Sequence, residues 1–117
     1  MQRNWAFQLP TRVQFGRGGA RKLGEVAGEF GGSAFLVGYS DRAGLEETYA
    51  RAAKALADAG LSVSEFFEVP PDPEAELALE GARRLNEAGA DVVIGLGGGS
   101  VIDAAKGIAA LARMGGN

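Results

Sequence analysis

Three consecutive glycines and a serine, Gly97-Gly98-Gly99-Ser100, stand between an apolar run and a segment of helical character. The run is Val92-Val93-Ile94-Gly95-Leu96, and the segment opens Val101-Ile102-Asp103-Ala104-Ala105-Lys106. This order reads as a buried strand, a tight turn and a helix start. Such a turn aims several backbone N–H groups at one spot, with the positive end of the helix dipole behind them. The chemistry is anion binding, with a phosphate as the natural guest. A Cβ on the turn would hold phosphate oxygens away from the backbone, so the contact demands glycine. Glycines also serve close packing of strand on helix, and local physics leaves both readings open.

The neighbours of the glycines have candidate roles of their own. Ser100 would cap the helix and could give its hydroxyl to a phosphate oxygen. Asp103 is expected in the first helical turn, where the dipole favours a carboxylate. Lys106 can reach solvent from a buried helix along its own stem, and no chemistry is assigned to it. The string is not a P-loop, since no Gly-Lys-Ser/Thr follows a four-residue gap. It is not G-x-G-x-x-G either: its glycines are contiguous and follow the third strand of the unit rather than the first.

The elements that must position this turn can be read in order. Trp5, Phe7, Leu9, Val13 and Phe15 alternate loosely, and Pro10-Thr11 splits them into two extended pieces, a hairpin or an edge strand. Ala20, Leu23, Val26, Ala27 and Phe30 share one face of a helix over 18–30, ended by Gly31-Gly32. Ala34-Phe35-Leu36-Val37-Gly38 has the length and character of a buried parallel strand. Ser40 or Asp41 is expected to cap the next helix, whose face reads Leu45, Tyr49, Ala52, Ala53 and Leu56 before Gly60. Leu61 to Val69 is a second strand, stopped by Pro70-Pro71. Asp72-Pro73-Glu74 starts a helix with Leu77, Ala78, Gly81, Ala82, Leu85 and Ala88 on its face and Gly89 at its end. Asp91 to Leu96 is the third strand. Strands alternating with helices imply an α/β fold, a Rossmann-like parallel sheet with flanking helices and right-handed crossovers. In such sheets ligands bind at the carboxyl ends of strands, where Gly38, Pro70 and Gly97 fall.

Three spaced strings carry a family resemblance. Gly97 to Lys106 resembles the GGGSxxDxAK motif of the iron-containing (group III) alcohol dehydrogenases. Leu9-Pro10-Thr11-Arg12-Val13-Gln14-Phe15-Gly16 is similar to that family's PTxxxFG segment. Val69-Pro70-Pro71-Asp72-Pro73 is similar to its Pro-rich turn, although members often carry Asn where Asp72 stands. The resemblance spans the whole chain and implies that residues 1–117 are a single N-terminal dinucleotide-binding domain, a fragment of a longer fold. It implies NAD or NADP as cofactor, held at Gly97, Gly98, Gly99 and Ser100, with Asp103 near the nicotinamide ribose. It also implies a catalytic metal, Fe2+ or Zn2+, held by one Asp and three His downstream, none of them in this chain. Many NAD-using members place an Asp just past the first βα strand. Here Gly38-Tyr39-Ser40 stands instead, and Gly38 and Ser40 match a Gly-x-Ser variant of NADP-using relatives. The absence of that carboxylate, with Arg42 nearby, favours NADP. Pro71 and Asp72 lie where adenine could rest. The family's N-terminal segment also helps form a dimer, so a homo-oligomer is expected.

Composition bounds the alternatives. The chain has 117 residues, 46% hydrophobic and 23% charged, as in a soluble globular domain. Its net charge of −3 and lack of a basic patch argue against nucleic acid. No apolar stretch is long enough to span a membrane, and no signal peptide follows Met1. The absence of cysteine fits a reducing, cytoplasmic setting, and the absence of histidine removes the commonest general base and metal ligand. The last helix reads apolar nearly all round, with Val101, Ile102, Ala104, Ala105, Ile108, Ala109, Ala110, Leu111 and Ala112, so it is expected to be buried on all sides. An exposed face there would require more chain, a second copy, or a fragment origin. The leading reading is the NAD(P)-binding part of an enzyme passing a hydride between an alcohol and nicotinamide, itself inactive without the metal. Maleylacetate reductase and glycerol dehydrogenase are rival parents, although glycerol dehydrogenases usually carry Lys at the position of Ser100. A stand-alone nucleotide- or phosphate-binding module and a self-associating remnant are the non-enzymatic readings.

Overall fold

The structure is a computed structural model that describes residues 11–14, 32–41, 44–70 and 75–115. The expected helix over 18–30, the extended residues Trp5, Phe7 and Leu9, and Arg42, Pro71, Asp72 and Pro73 lie outside the described residues. The elements are β1 (Thr11–Gln14), β2 (Ser33–Tyr39), α1 (Glu46–Asp58), β3 (Ser62–Val69), α2 (Ala75–Ala88), β4 (Val92–Leu96) and α3 (Gly99–Gly115). The strands form one sheet in the order β1-β4-β2-β3. Every pairing is parallel, with Leu36 opposite Ile94 on one side and Glu65 on the other. β1 is the edge strand expected near Pro10-Thr11, and it pairs with β4.

The alternation of side chains explains the two-sided packing. In β2, Ala34 and Leu36 face one layer, and Phe35 and Val37 face the other. The first layer holds Tyr49, Ala52 and Leu56 of α1, with Val92, Ile94 and Leu96 of β4. The second holds Ala82 and Leu85 of α2, and Val101, Ala105 and Ile108 of α3, with Phe66 and Val93 beneath. β2 and β4 are therefore covered on both faces, which is why both read as continuous apolar runs. Phe66, Leu36, Leu56, Ile94 and Ile108 are fully buried, each worth about 1.5–3 kcal/mol of transfer free energy.

Two helix starts differ from the expected ones. The N-cap of α1 is Leu45, with no side-chain capping bond, so neither Ser40 nor Asp41 caps it. Ser40 instead gives its backbone N–H to the Val69 carbonyl at 2.9 Å, extending the β2–β3 ladder beyond the strand ends. Glu46 supplies the local substitute, accepting the Gly44 N–H at 3.0 Å. The second difference is in α3, whose first turn holds no acidic residue. Because the helix begins at Gly99, Asp103 falls in its second turn and Ser100 is inside the helix rather than at its cap.

α3 is not buried on all sides either. Asp103 and Lys106 are exposed, and Ile102, Gly107, Ala110 and Leu111 are half-buried. The two charges lie three residues apart and open one strip of the helix to solvent. Among the described residues the exposed large hydrophobic is Leu79 of α2, at 57%, and the apolar side chains of α3 from Val101 to Ala112 are buried or half-buried. Among the described residues, too, no helix is long and apolar enough to cross a membrane.

α2 and α3 pack through a glycine. A Cβ on Gly81 would stand 2.5 Å from Ile108 Cδ1 and 2.7 Å from Cγ1. Ile108 is fully buried, so making room for that Cβ means displacing its packed neighbours. Gly81→Ala should therefore lower stability by about 1–2 kcal/mol, overpacking outweighing the helix-propensity gain of about 1 kcal/mol. Placed on Ile108→Ala, the same substitution should become neutral or stabilising. Urea unfolding of the two single variants and the double variant measures the reversal of sign.

Candidate functional site

The topology makes a crevice before any ligand is considered. After β2 the chain turns to α1 on one face of the sheet. After its neighbour β4 it turns to α3 on the other face. Adjacent strand ends whose continuations part in this way leave a cleft at their carboxyl edge. The end of β2 holds Gly38, Tyr39 and Ser40, and the end of β4 holds Gly97, Gly98, Gly99 and Ser100. The residues singled out from the sequence at the two strand ends thus meet at this cleft. Asp103 lies one helical turn beyond Gly99, on the same side of α3.

The glycine turn is shaped by three different demands. A Cβ on Gly97 would come within 2.8 Å of Val101 Cγ2 and 3.0 Å of Tyr39 Cε2, so this glycine is required by packing. The Gly98 carbonyl accepts the Ile102 N–H at 3.0 Å, which makes Gly98 the N-cap of α3. The Gly98 N–H donates to the Tyr39 hydroxyl at 2.9 Å, an amide expected from the sequence to be bare. At Gly99 an added Cβ would meet nothing within 4 Å. Gly98 and Gly99 are exposed and Ser100 half-buried, so the positive end of α3 opens to solvent at this point. The donors here, backbone amides at an open helix start, fit a diphosphate.

Tyrosines organise the other wall. Tyr49 is buried, and its hydroxyl accepts the Tyr39 N–H at 3.0 Å and donates to the Leu96 carbonyl at 2.7 Å. One side chain from α1 therefore ties the end of β2 to the end of β4. Gly38 lets it do so: a Cβ there would lie 2.6–2.8 Å from the Tyr49 ring. Phe67 stacks on the same ring, with centroids 4.7 Å apart. Sequence reasoning put Tyr49 on a helix face and missed this tie. The signal was available, since a buried tyrosine must find a partner for its hydroxyl and the bordering strand ends with the smallest residue.

Charge enters little. Asp103, Lys106, Ser40 and Asp41 are exposed. The displaced ionisations lie elsewhere: hydrogen bonding to Arg83 lowers Glu80, the bond to Glu80 raises Arg83, and Asp58 raises Lys54, all within α1 and α2. The chain has no histidine, and among the described residues no group of three His, Cys, Asp or Glu could hold a metal ion. These residues do not fit a metal site.

Comparison with known proteins decides the family. Residues 10–116 match the family described as iron-containing alcohol dehydrogenase. The chain belongs to that family. It is 35% identical over 117 residues to the probable NADH-dependent butanol dehydrogenase 1 of Bacillus subtilis, covering 97% of this chain and 30% of that protein. It is 32% identical over 106 residues to the NADPH-dependent butanol dehydrogenase of Clostridium saccharobutylicum, covering 86% of this chain and 25% of that protein. Among solved structures, an archaeal halo-thermophilic alcohol dehydrogenase from a Red Sea brine pool superposes with a TM-score of 0.76 at 40% identity. That match covers 90% of this chain and 26% of the other. The chain thus spans less than a third of the length of these iron-type alcohol dehydrogenases, in their N-terminal region.

The Tyr49 bridge has a measurable weight. Tyr49→Phe keeps the ring and leaves the Tyr39 N–H and the Leu96 carbonyl without their shared partner. It should cost about 1–3 kcal/mol in urea unfolding. Amide hydrogen exchange at Tyr39 should also speed up by more than exchange at Val93, deep in the sheet.

Proposed function

We propose that this chain is the dinucleotide-binding part of an iron-type alcohol dehydrogenase and takes NAD or NADP in the cleft between β2 and β4. The observation that carries this is the open start of α3 at Gly98 and Gly99, facing the end of β2. The first-turn amides at Gly99 and Ser100 bind the pyrophosphate, with the helix dipole adding to the attraction. The Ser100 hydroxyl supplements them. Asp103, exposed one turn on, accepts a hydrogen bond from the nicotinamide ribose. The backbone at Gly38 and the side chain of Ser40 border the adenosine. The bound cofactor supplies the hydride acceptor or donor for a small alcohol or aldehyde. The chain's own residues bind and orient it, and residues 1–117 turn nothing over by themselves.

NADP is the preferred form on this reading. Gly38-Tyr39-Ser40 puts no carboxylate at the end of β2, where one would repel a 2′-phosphate. Relatives named for NADH and for NADPH both match the chain, so the family admits either. Self-association and a reducing, cytoplasmic setting complete the proposal, the latter in keeping with a chain free of cysteine.

Gly99→Asp tests the site without a steric penalty, because a Cβ there meets nothing. A carboxylate at the first position of α3 should hold or raise stability, by about 0.3–1 kcal/mol from the dipole. It should also repel the pyrophosphate and weaken NAD+ and NADP+ at least tenfold in calorimetric titration. Unchanged affinity for both would show that the dinucleotide binds elsewhere. The wild type should bind NADP+ more tightly than NAD+, and the reverse order would remove the NADP preference while leaving the site.

A further inference from the structure

Tyr39 stands in a position that the cofactor reading does not use. It ends β2, and a register shift between Gly38 and Tyr39 sets it opposite Val69. Its side chain falls on the same face as Phe35 and Val37, the face that α3 covers. Its ring is half-buried against that cluster and passes close to Gly97. The hydroxyl then reaches across the cleft and accepts the Gly98 N–H at 2.9 Å. The backbone beneath it is fixed, because the Tyr39 N–H is held by Tyr49. One oxygen of this chain thus already sits on an amide of the phosphate turn.

We propose that Tyr39 sets the affinity of the turn for dinucleotide phosphates, its hydroxyl competing with a phosphate oxygen for the Gly98 N–H. The inference rests on the cofactor reading above. A neutral hydroxyl makes the weaker bond to that amide, and a phosphate oxygen makes a charge-assisted one of roughly twice the strength. The phosphate therefore wins the N–H, at the expense of the bond to Tyr39. Pinning by Tyr49 leaves the side chain, rather than the strand, to give way. The competition acts on phosphate and not on the adenosine, because the amide concerned lies at the end of β4 and not of β2.

The test is calorimetric titration of the full chain, wild type and Tyr39→Phe, with NADP+, ADP and adenosine, alongside Gly99→Asp. Phenylalanine keeps the ring and its packing. It should tighten NADP+ and ADP by about three- to tenfold, the net worth of one neutral hydrogen bond. Adenosine affinity should stay as in the wild type. In 15N spectra, ADP added to the wild type and the Tyr39→Phe change without ligand should both move the Gly98 amide. If wild type binds ADP, Gly99→Asp does not, and Tyr39→Phe binds no tighter than wild type, the competition is overturned and the cofactor site stands. If Tyr39→Phe binds ADP more weakly, the hydroxyl is a ligand rather than a competitor, which also overturns it. If neither wild type nor Tyr39→Phe binds ADP or NADP+, the cofactor reading falls and this inference falls with it.

Discussion

A buried hydroxyl ties the two walls of the cleft together where the backbone pairing of β2 and β4 ends. Tyr49 Oη stands between the Tyr39 N–H of β2 and the Leu96 carbonyl of β4, both at the ends of their strands. The β2–β4 pairing runs out at Val37 and Gly95, where the chain leaves for opposite faces of the sheet. Beyond it side chains make the ties, Tyr49 from the covering helix and Tyr39 to Gly98. That requirement explains the local sequence: Gly38 opens the space over which the ring lies, and Phe67 backs it. The glycine turn is set against β2 by this contact together with the β2–β4 ladder and the bond from the Gly98 N–H to the Tyr39 hydroxyl.

Much of the scaffold was legible because its signals are local. Continuous apolar runs gave β2 and β4, and helical periodicity gave the buried faces of α1 and α2, except that Ala88, placed on the α2 face, is exposed. The glycine string gave the turn and the start of α3. What escaped were contacts between residues distant in sequence. Tyr39 and Gly98 are far apart along the chain, as are Tyr49 and Leu96, and nothing in the spacing of either pair announces a hydrogen bond. Helix starts also misled. Ser40 has the right chemistry for a cap, but pairing with Val69 prolongs the sheet and delays α1 until Glu46. Spacing puts Asp103 in the first turn, but the helix begins earlier, at Gly99.

The burial of α3 shows a limit of reading helices by composition. Its apolar residues are largely alanines, and alanine fits buried and half-buried positions alike. Ala104, Ala105, Ala109 and Ala112 are buried, and Ala110 is only half so. The charges decide the orientation: Asp103 and Lys106 can both reach water only if one strip of the helix does. A helix rich in small side chains also lets its neighbour approach closely, as at Gly107 of α3, where an added Cβ would lie 3.5 Å from Ala78 Cβ of α2. The tight α2–α3 contact and the solvent strip are two sides of one arrangement.

The same economy bears on the proposed reading, in which an acidic chain holds an anion. Its net charge is −3, and its described cleft carries Asp41 and Asp103 at the margins. Attraction at long range is therefore weak, and binding must come from groups that act only at contact. Backbone amides at a helix start are such groups: their field falls off within about one turn. They need glycine for access more than they need lysine for charge. Three glycines at the end of β4 divide that work, with Gly97 letting Val101 and Tyr39 close in, Gly98 capping the helix, and Gly99 leaving its side of the turn open. On the proposed reading such a site recognises a phosphate by fit to the backbone, which leaves the rest of the surface to carry whatever charge the chain's solubility requires.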